Sequence, residues 1–150
     1  MEVSTLKTSE SLDRREFHAL IDEVEKVIVG ELVQEDCPVA HAFLPGFYIR
    51  TIYMRAGLVI TSAIHKTEHP FFIPSGDVIV ATEAETIRYQ GPVHGITTPG
   101  TRRILKTLAD TVWTTYHRTD KTSLEDIIPD LIEPHANPLL PEGYIPCHSR

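Results

Sequence analysis

A chain of 150 residues with 41% apolar and 23% charged side chains is long enough for one globular domain that buries about 68–70% of its unfolded surface, with no need of disulfide or zinc staples. The net charge of −7, with no basic cluster larger than Arg102, Arg103 and Lys106, excludes a non-specific nucleic-acid binder, which needs grouped Lys and Arg to neutralise phosphates. Residues 1–36 hold ten acidic against four basic side chains and residues 118–150 six against three, whereas residues 37–117 hold five against seven, so the acidity sits in the flanks.

Cys37 and Cys147 stand far apart with no CxxC spacing, which suits a reducing compartment. The opening MEVSTLKTSESLDRRE has no apolar signal-type core, and no apolar run approaches the roughly 20 residues of a membrane span. The expectation is a cytoplasmic protein that binds neither membrane nor nucleic acid.

In chain order, residues 1–10 read as polar and loose. Asp13 with Glu16 three residues later forms a capping box that predicts a helix start. Phe17, Leu20, Ile21, Val24 and Ile28 then recur at helical spacing, and Gly30 is the expected stop. This N-terminal polar segment and amphipathic helix occupy residues 1–36. From residue 37 to 117 the pattern changes to short β-rich runs broken by Gly, Pro and acidic turns, with strands predicted at 47–54, 58–65, 69–73, 77–82, 86–89, 93–97, 102–107 and 111–117. So many short strands at close spacing predict a mainly β sandwich or barrel. Residues 118–150 read as a short helix, with Thr122 and Glu125 as its capping box and Pro129 limiting its length, followed by an extended Pro-rich tail. Leu139, Leu140, Tyr144 and Ile145 give that tail the means to wrap the domain or a neighbour.

Five of the eight histidines, His41, His65, His69, His94 and His117, fall in or beside the β region. In IHKTEH a tight turn over Lys66, Thr67 and Glu68 predicts a hairpin with His65 and His69 at neighbouring positions, both in the inward sets of their strands. Neutral imidazole is the commonest protein ligand for transition metals, and His117, ending a predicted strand, is the preferred third ligand, ahead of His94 and Glu68. Glu68 is also the candidate general acid/base. A histidine beside a turn more often serves a backbone carbonyl, and Trp113 is more simply a core residue than a stacking platform. Arg102 and Arg103 alternate in direction on one strand, so one of them faces inward and suits an anionic group. The phosphate-binding glycine loop, GxSxG and HExxH are absent from the sequence.

The stretch Gly57 to Gly76 resembles the first cupin motif, and Thr98-Pro99-Gly100-Thr101-Arg102-Arg103 resembles the second. The combination HKTEH, SG, PGT and DTVWTTYH resembles small cupin-like proteins of tailed phages and prophages, over about residues 37–132. The resemblance implies a double-stranded β-helix (jelly-roll) barrel, with the helices packed outside and a homodimeric assembly. This sequence departs from the motif at three points. Ala63 stands at the first His of His-x-His, His69 at the motif's Glu, and the second-motif His falls near Arg103. The four-ligand cupin set is therefore absent, and His65, His69 and His117 remain.

Three functions follow as expectations. The first is a metal-binding cupin-like protein that holds zinc, iron, nickel or manganese and binds or acts on a small polar molecule. The second is a metal-free small-anion binding module using Arg102 or Arg103, with Trp113 and His94 beside them. The third is a phage accessory or virion-associated protein that works through a phage or host protein partner.

Overall fold

The structure is a computed structural model and describes residues 2–6, 12–134 and 136–141. Among the described residues, ten strands and two helices follow in the order β1 (Glu2–Leu6), α1 (Arg14–Glu31), β2 (Val39–Leu44), β3 (Phe47–Met54), β4 (Val59–Thr61), β5 (His69–Ser75), β6 (Asp77–Ala81), β7 (Thr86–Gln90), β8 (Val93–Thr97), β9 (Ile104–Thr107), β10 (Thr111–Arg118) and α2 (Leu124–Leu131). They form two five-stranded sheets, β1-β7-β6-β9-β4 and β2-β3-β10-β5-β8, in which every pairing is antiparallel. The main core lies between the sheets. Val78, Val80 and Leu105 come from the first; Ile52, Met54, Phe71, Ile73, Val93 and Trp113 come from the second. Each set follows the two-residue period of its strand, which is why the sequence reads as alternating runs.

Helix α1 begins as expected. Asp13 accepts from the Glu16 amide and the Glu16 carboxylate accepts from the Asp13 amide. The buried line is Phe17, Ile21 and Glu25, so a carboxylate takes the third place of an otherwise apolar stripe, while Leu20 and Val27 face outward. No helix among the described residues is long and apolar enough to cross a membrane.

Several expectations are corrected. Residues 2–6 are a strand on the edge of the first sheet, paired with β7, where a loose segment was expected. β2 was not foreseen, because its sequence VAHAFL alternates weakly and leaves much of the strand exposed. The run 58–65 is strand only over β4, and β4 and β5 do not form a hairpin. β4 pairs with β9 in one sheet while β5 pairs with β10 and β8 in the other, so residues 62–68 cross between sheets. The backbone amides there bond elsewhere: His65 to Thr101 and Lys66 to Leu131. Helix α2 is capped by Ser123, which accepts from the Asp126 amide, one residue later than the Thr122 and Glu125 box. Pro129 lies inside this eight-residue helix. In the tail, Asn137 is buried and donates to the Asp22 carbonyl and the Glu25 carboxylate. Tyr144, Ile145 and Cys147 lie outside the described residues.

Candidate functional site

The central pair β3–β10 builds most of the site. Its register sets Tyr48 opposite His117, Arg50 opposite Thr115, and Ile52 opposite Trp113. These six side chains line one cavity of about 120 Å³, which is bordered by Thr61 and Leu105 of the other sheet, by Arg103 just before β9, and by His65 and α2. Directly opposed residues share a face, so the cavity grades along two strands from a phenol and imidazole end to an indole end.

Three of the expected residues cluster. The ring centroids of His65 and His69 are 5.2 Å apart and those of His69 and His117 are 4.3 Å apart. Tyr48 continues the series, 5.6 Å from His117 and 5.9 Å from His41, with its hydroxyl 2.6 Å from His41 Nδ1. Nδ1–H of His65 donates to the Thr101 carbonyl and Nδ1–H of His69 to the Thr67 carbonyl, at 3.2 and 3.0 Å. A carbonyl can only accept, so each ring carries its proton on Nδ1 and leaves Nε2 as a bare lone pair. His117 Nε2 meets Thr115 Oγ1 at 2.9 Å.

Burial keeps all three rings neutral at ordinary pH. It lowers His65 to about 3, with the Arg103 charge adding to the effect, and lowers His69 to about 4. His117 falls to about 3, again chiefly by burial and then by His69 and Arg50. The same burial raises the Tyr48 phenol and lowers His41.

Neutral imidazoles have the donor chemistry of a metal site, and His69 Nε2 and His117 Nδ1 are buried without a partner among the described residues. Their placement does not complete such a site. Among the described residues no three His, Cys, Asp or Glu side chains are arranged to hold a metal ion. The reason lies in the crossing segment 62–68. His65 lines the inner cavity, His69 lines a separate groove of about 410 Å³ beside α2, and only His117 borders both. The expected three-ligand set is thus divided between two spaces.

Other expected residues are placed as follows. Glu68 is exposed and borders the outer groove, not the inner cavity. His94 is exposed on β8, opposite Phe72, and is not part of the site, because its neighbours Val93 and Gly95 set the alternation that turns it outward. Arg102 is no ligand-binding residue. Its guanidinium leaves the barrel toward α1, pairing with Asp22 at 2.8 Å and Glu25 at 3.0 Å and donating to the His18 carbonyl.

Arg103 is the inward arginine. It is 6% exposed, donates to Thr97 Oγ1, and lies 5.3 Å from the Trp113 ring centroid and 5.7 Å from that of Phe71. No carboxylate pairs with it among the described residues, and burial lowers its pKa to about 10. Trp113 is both core and wall, stacked on Phe71 at 4.5 Å. Arg50 and Tyr48 were missed by the sequence reading. The signal was available in FYIRTIYM, where the alternation that buries Tyr48, Ile52 and Met54 also turns Arg50 inward.

Among solved structures, the chain is similar to salicylate 1,2-dioxygenase from Pseudoaminobacter salicylatoxidans, determined as adducts with gentisate. The TM-score is 0.50 at 13% identity, over 66% of this chain and 30% of the dioxygenase. It is also similar to the cupin domain of Cnp3 from Schizosaccharomyces pombe, with a TM-score of 0.48 and 19% identity, over 61% of this chain and 72% of that one. A cupin-2 domain containing protein from Shewanella frigidimarina gives 0.47 and 10%, over 68% and 97%.

The barrel has the cupin fold.

At these identities the likeness extends to the fold. No protein-family model matches the sequence, and no curated protein matches it significantly. Within the cupin barrel this chain carries two inward arginines, Arg50 and Arg103, beside neutral imidazoles.

Proposed function

We propose that the protein is a small-molecule-binding cupin barrel that receives the anionic group of its ligand at Arg103. One observation carries this reading: a buried guanidinium beside the stacked pair of Phe71 and Trp113 has a hydroxyl and two aromatic rings for company and no carboxylate paired with it among the described residues. An unneutralised buried charge costs several kcal/mol, on the order of what an entering anion returns. With Arg50 bordering the same cavity, an anion lowers the local charge whereas a cation raises it. The bare Nε2 of His65, which borders the same cavity as Arg103, accepts hydrogen bonds, so a ligand carrying a hydroxyl or a protonated acid group finds an acceptor there. The salicylate dioxygenase, a fold relative solved with the carboxylate gentisate, is compatible with this reading.

Trp113 is the only tryptophan, so its fluorescence reports on the Arg103 site. Titration with small carboxylates and inorganic phosphate is expected to change that fluorescence and raise the melting temperature, and Arg103→Met is expected to abolish both responses. Equal stabilisation of wild type and Arg103→Met by these anions would overturn the reading.

A second reading is favoured by the unpartnered nitrogens of His69 and His117 among the described residues, namely a divalent metal toward which His65, His69 and His117 would have to turn from the two spaces they now line. Zinc, iron, nickel and manganese all accept imidazole. Metal content by mass spectrometry separates the two readings. About one metal per chain, lost in a His65→Ala/His69→Ala double variant, would replace the first reading with the second. No metal after incubation with all four ions removes the second.

A further inference from the structure

Arg103 borders two cavities. The first is the space described above; the second, of about 280 Å³, lies on the other side of the Arg103 and Trp113 pair. The contacts of the guanidinium favour the second. Thr97, which accepts its hydrogen bond, and Phe71, one of its two aromatic neighbours, line the second cavity and not the first. Across that cavity stands the turn between β6 and β7, where Thr82 Oγ1 accepts from the amides of Ala84 and Glu85 and so presents Glu83.

Glu83 is half used. Its Oε1 pairs with Arg14 Nε at 2.8 Å, while its Oε2 is buried without a hydrogen-bond partner among the described residues. A carboxylate oxygen out of water and without a donor is costly, and a charged donor would satisfy it most strongly. Arg14 closes over the 98–101 turn, where Gly100, at φ +81°, has no side chain to obstruct its guanidinium. One wall of the cavity therefore offers a buried cation, and another wall a buried carboxylate oxygen. Between them lie the rings of Phe71, Tyr89 and Trp113, with Tyr89 edge-on to the other two.

We propose that this second cavity is a binding compartment for a small zwitterion or amino-bearing acid, with its anionic end on Arg103, its ammonium on Glu83 Oε2, and its aliphatic middle against the three rings. The inference rests on the Arg103 reading and adds a direction and a second anchor to it. Aliphatic carbon suits the ring-lined middle, because burying a methylene chain there costs neither pole its hydrogen bonds.

The test is a titration followed by amide NMR shifts, with β-alanine, γ-aminobutyrate and ε-aminocaproate against propionate, butyrate and caproate. At least one amino acid is expected to bind about tenfold or more tightly than the carboxylate of its own length, the effect of one charge-assisted hydrogen bond. The shifts should centre on Thr98 and Ala84, not on Tyr48 and Thr115. Glu83→Gln is expected to erase the preference for the amino acid while leaving carboxylate affinity in place. Equal binding of amino acid and carboxylate at every length, or shifts confined to Tyr48 and Thr115, would overturn the zwitterion proposal and leave the Arg103 reading standing. Failure of every carboxylate to bind would remove both.

Discussion

Arg102 and Arg103 are consecutive, equally buried, and point to opposite sides of the barrel wall: Arg102 closes an ion-pair network with Asp22 and Glu25 on α1, and Arg103 enters the barrel beside the stacked rings of Phe71 and Trp113. The preceding residue of the same segment, Thr101, offers its carbonyl to both the backbone amide and the ring of His65. Three successive residues thus fix the outer helix, the charge in the barrel and one imidazole.

The two arginines are expected to behave differently on substitution. Arg102→Met leaves Glu25 buried at 4% exposure without its cation, a loss of about 3–5 kcal/mol. Arg103→Met removes a buried charge that no carboxylate pairs with among the described residues, so stability in ligand-free buffer should stay within about 1 kcal/mol of wild type or rise. Urea denaturation of both variants checks the contrast, and a large loss in Arg103→Met would count against an unneutralised guanidinium.

Stability should fall with acid over a defined window. His65, His69 and His117 have folded values of about 3, 4 and 3, below the ordinary 6.5. Between those limits the unfolded chain takes up protons that the folded rings refuse, so unfolding becomes more favourable as pH drops. The contribution is complete above pH 6.5 and is lost progressively toward pH 3–4, at about 1.4 kcal/mol per pH unit for each ring. Denaturation midpoints measured from pH 7 to 4 in wild type and in His65→Gln/His117→Gln test this. The double variant should show a visibly shallower dependence.

Asn137 secures the tail to α1 through the Asp22 carbonyl and Glu25 Oε2. Asn137→Ala removes one donor from the buried Glu25 carboxylate, and a loss of about 1–3 kcal/mol is expected. Limited proteolysis should then cut after residue 133 sooner than in wild type, while α1 and the barrel stay resistant.

Gly95 faces the ring of Phe71 across the β5–β8 pair, and a Cβ there would collide with it. Gly95→Ala is expected to displace Phe71 from its stack on Trp113 and to cost about 1–3 kcal/mol. The near-ultraviolet circular dichroism of Trp113 should change with it, and an unaltered spectrum would show that the ring had room to move aside.

Strands such as β3, β5, β6, β8 and β10 were legible because each buries one face, and a two-residue period marks that in sequence. β1 and β2 were not. One is a short polar edge strand, and the other leaves much of its length exposed, so neither carries the alternation that burial imposes. His65, His69 and His117 do lie near one another, but His65 and His69 were brought together through a hairpin that does not exist, and His117 only as the end of a strand. Short sequence separation keeps His65 and His69 close, whereas the change of sheet between β4 and β5 sets them in two spaces. Glu25 was readable in principle, as a carboxylate four residues beyond Ile21 on the stripe that α1 buries. What no periodicity could supply was its partner, since Arg102 lies 77 residues away.

The ladder between β3 and β10 makes the barrel interior adjustable rung by rung. Tyr48 with His117, Arg50 with Thr115, and Ile52 with Trp113 are each a matched couple on an unchanged backbone. Exchanging one couple, such as Arg50 and Thr115 for two aliphatic residues of similar bulk, would move the boundary between the wet and dry parts of the chamber by one rung, about two residues of strand or roughly 7 Å. Ligand preference on this scaffold can therefore drift in discrete steps through paired replacements, with the hydrogen-bonded frame left as it is.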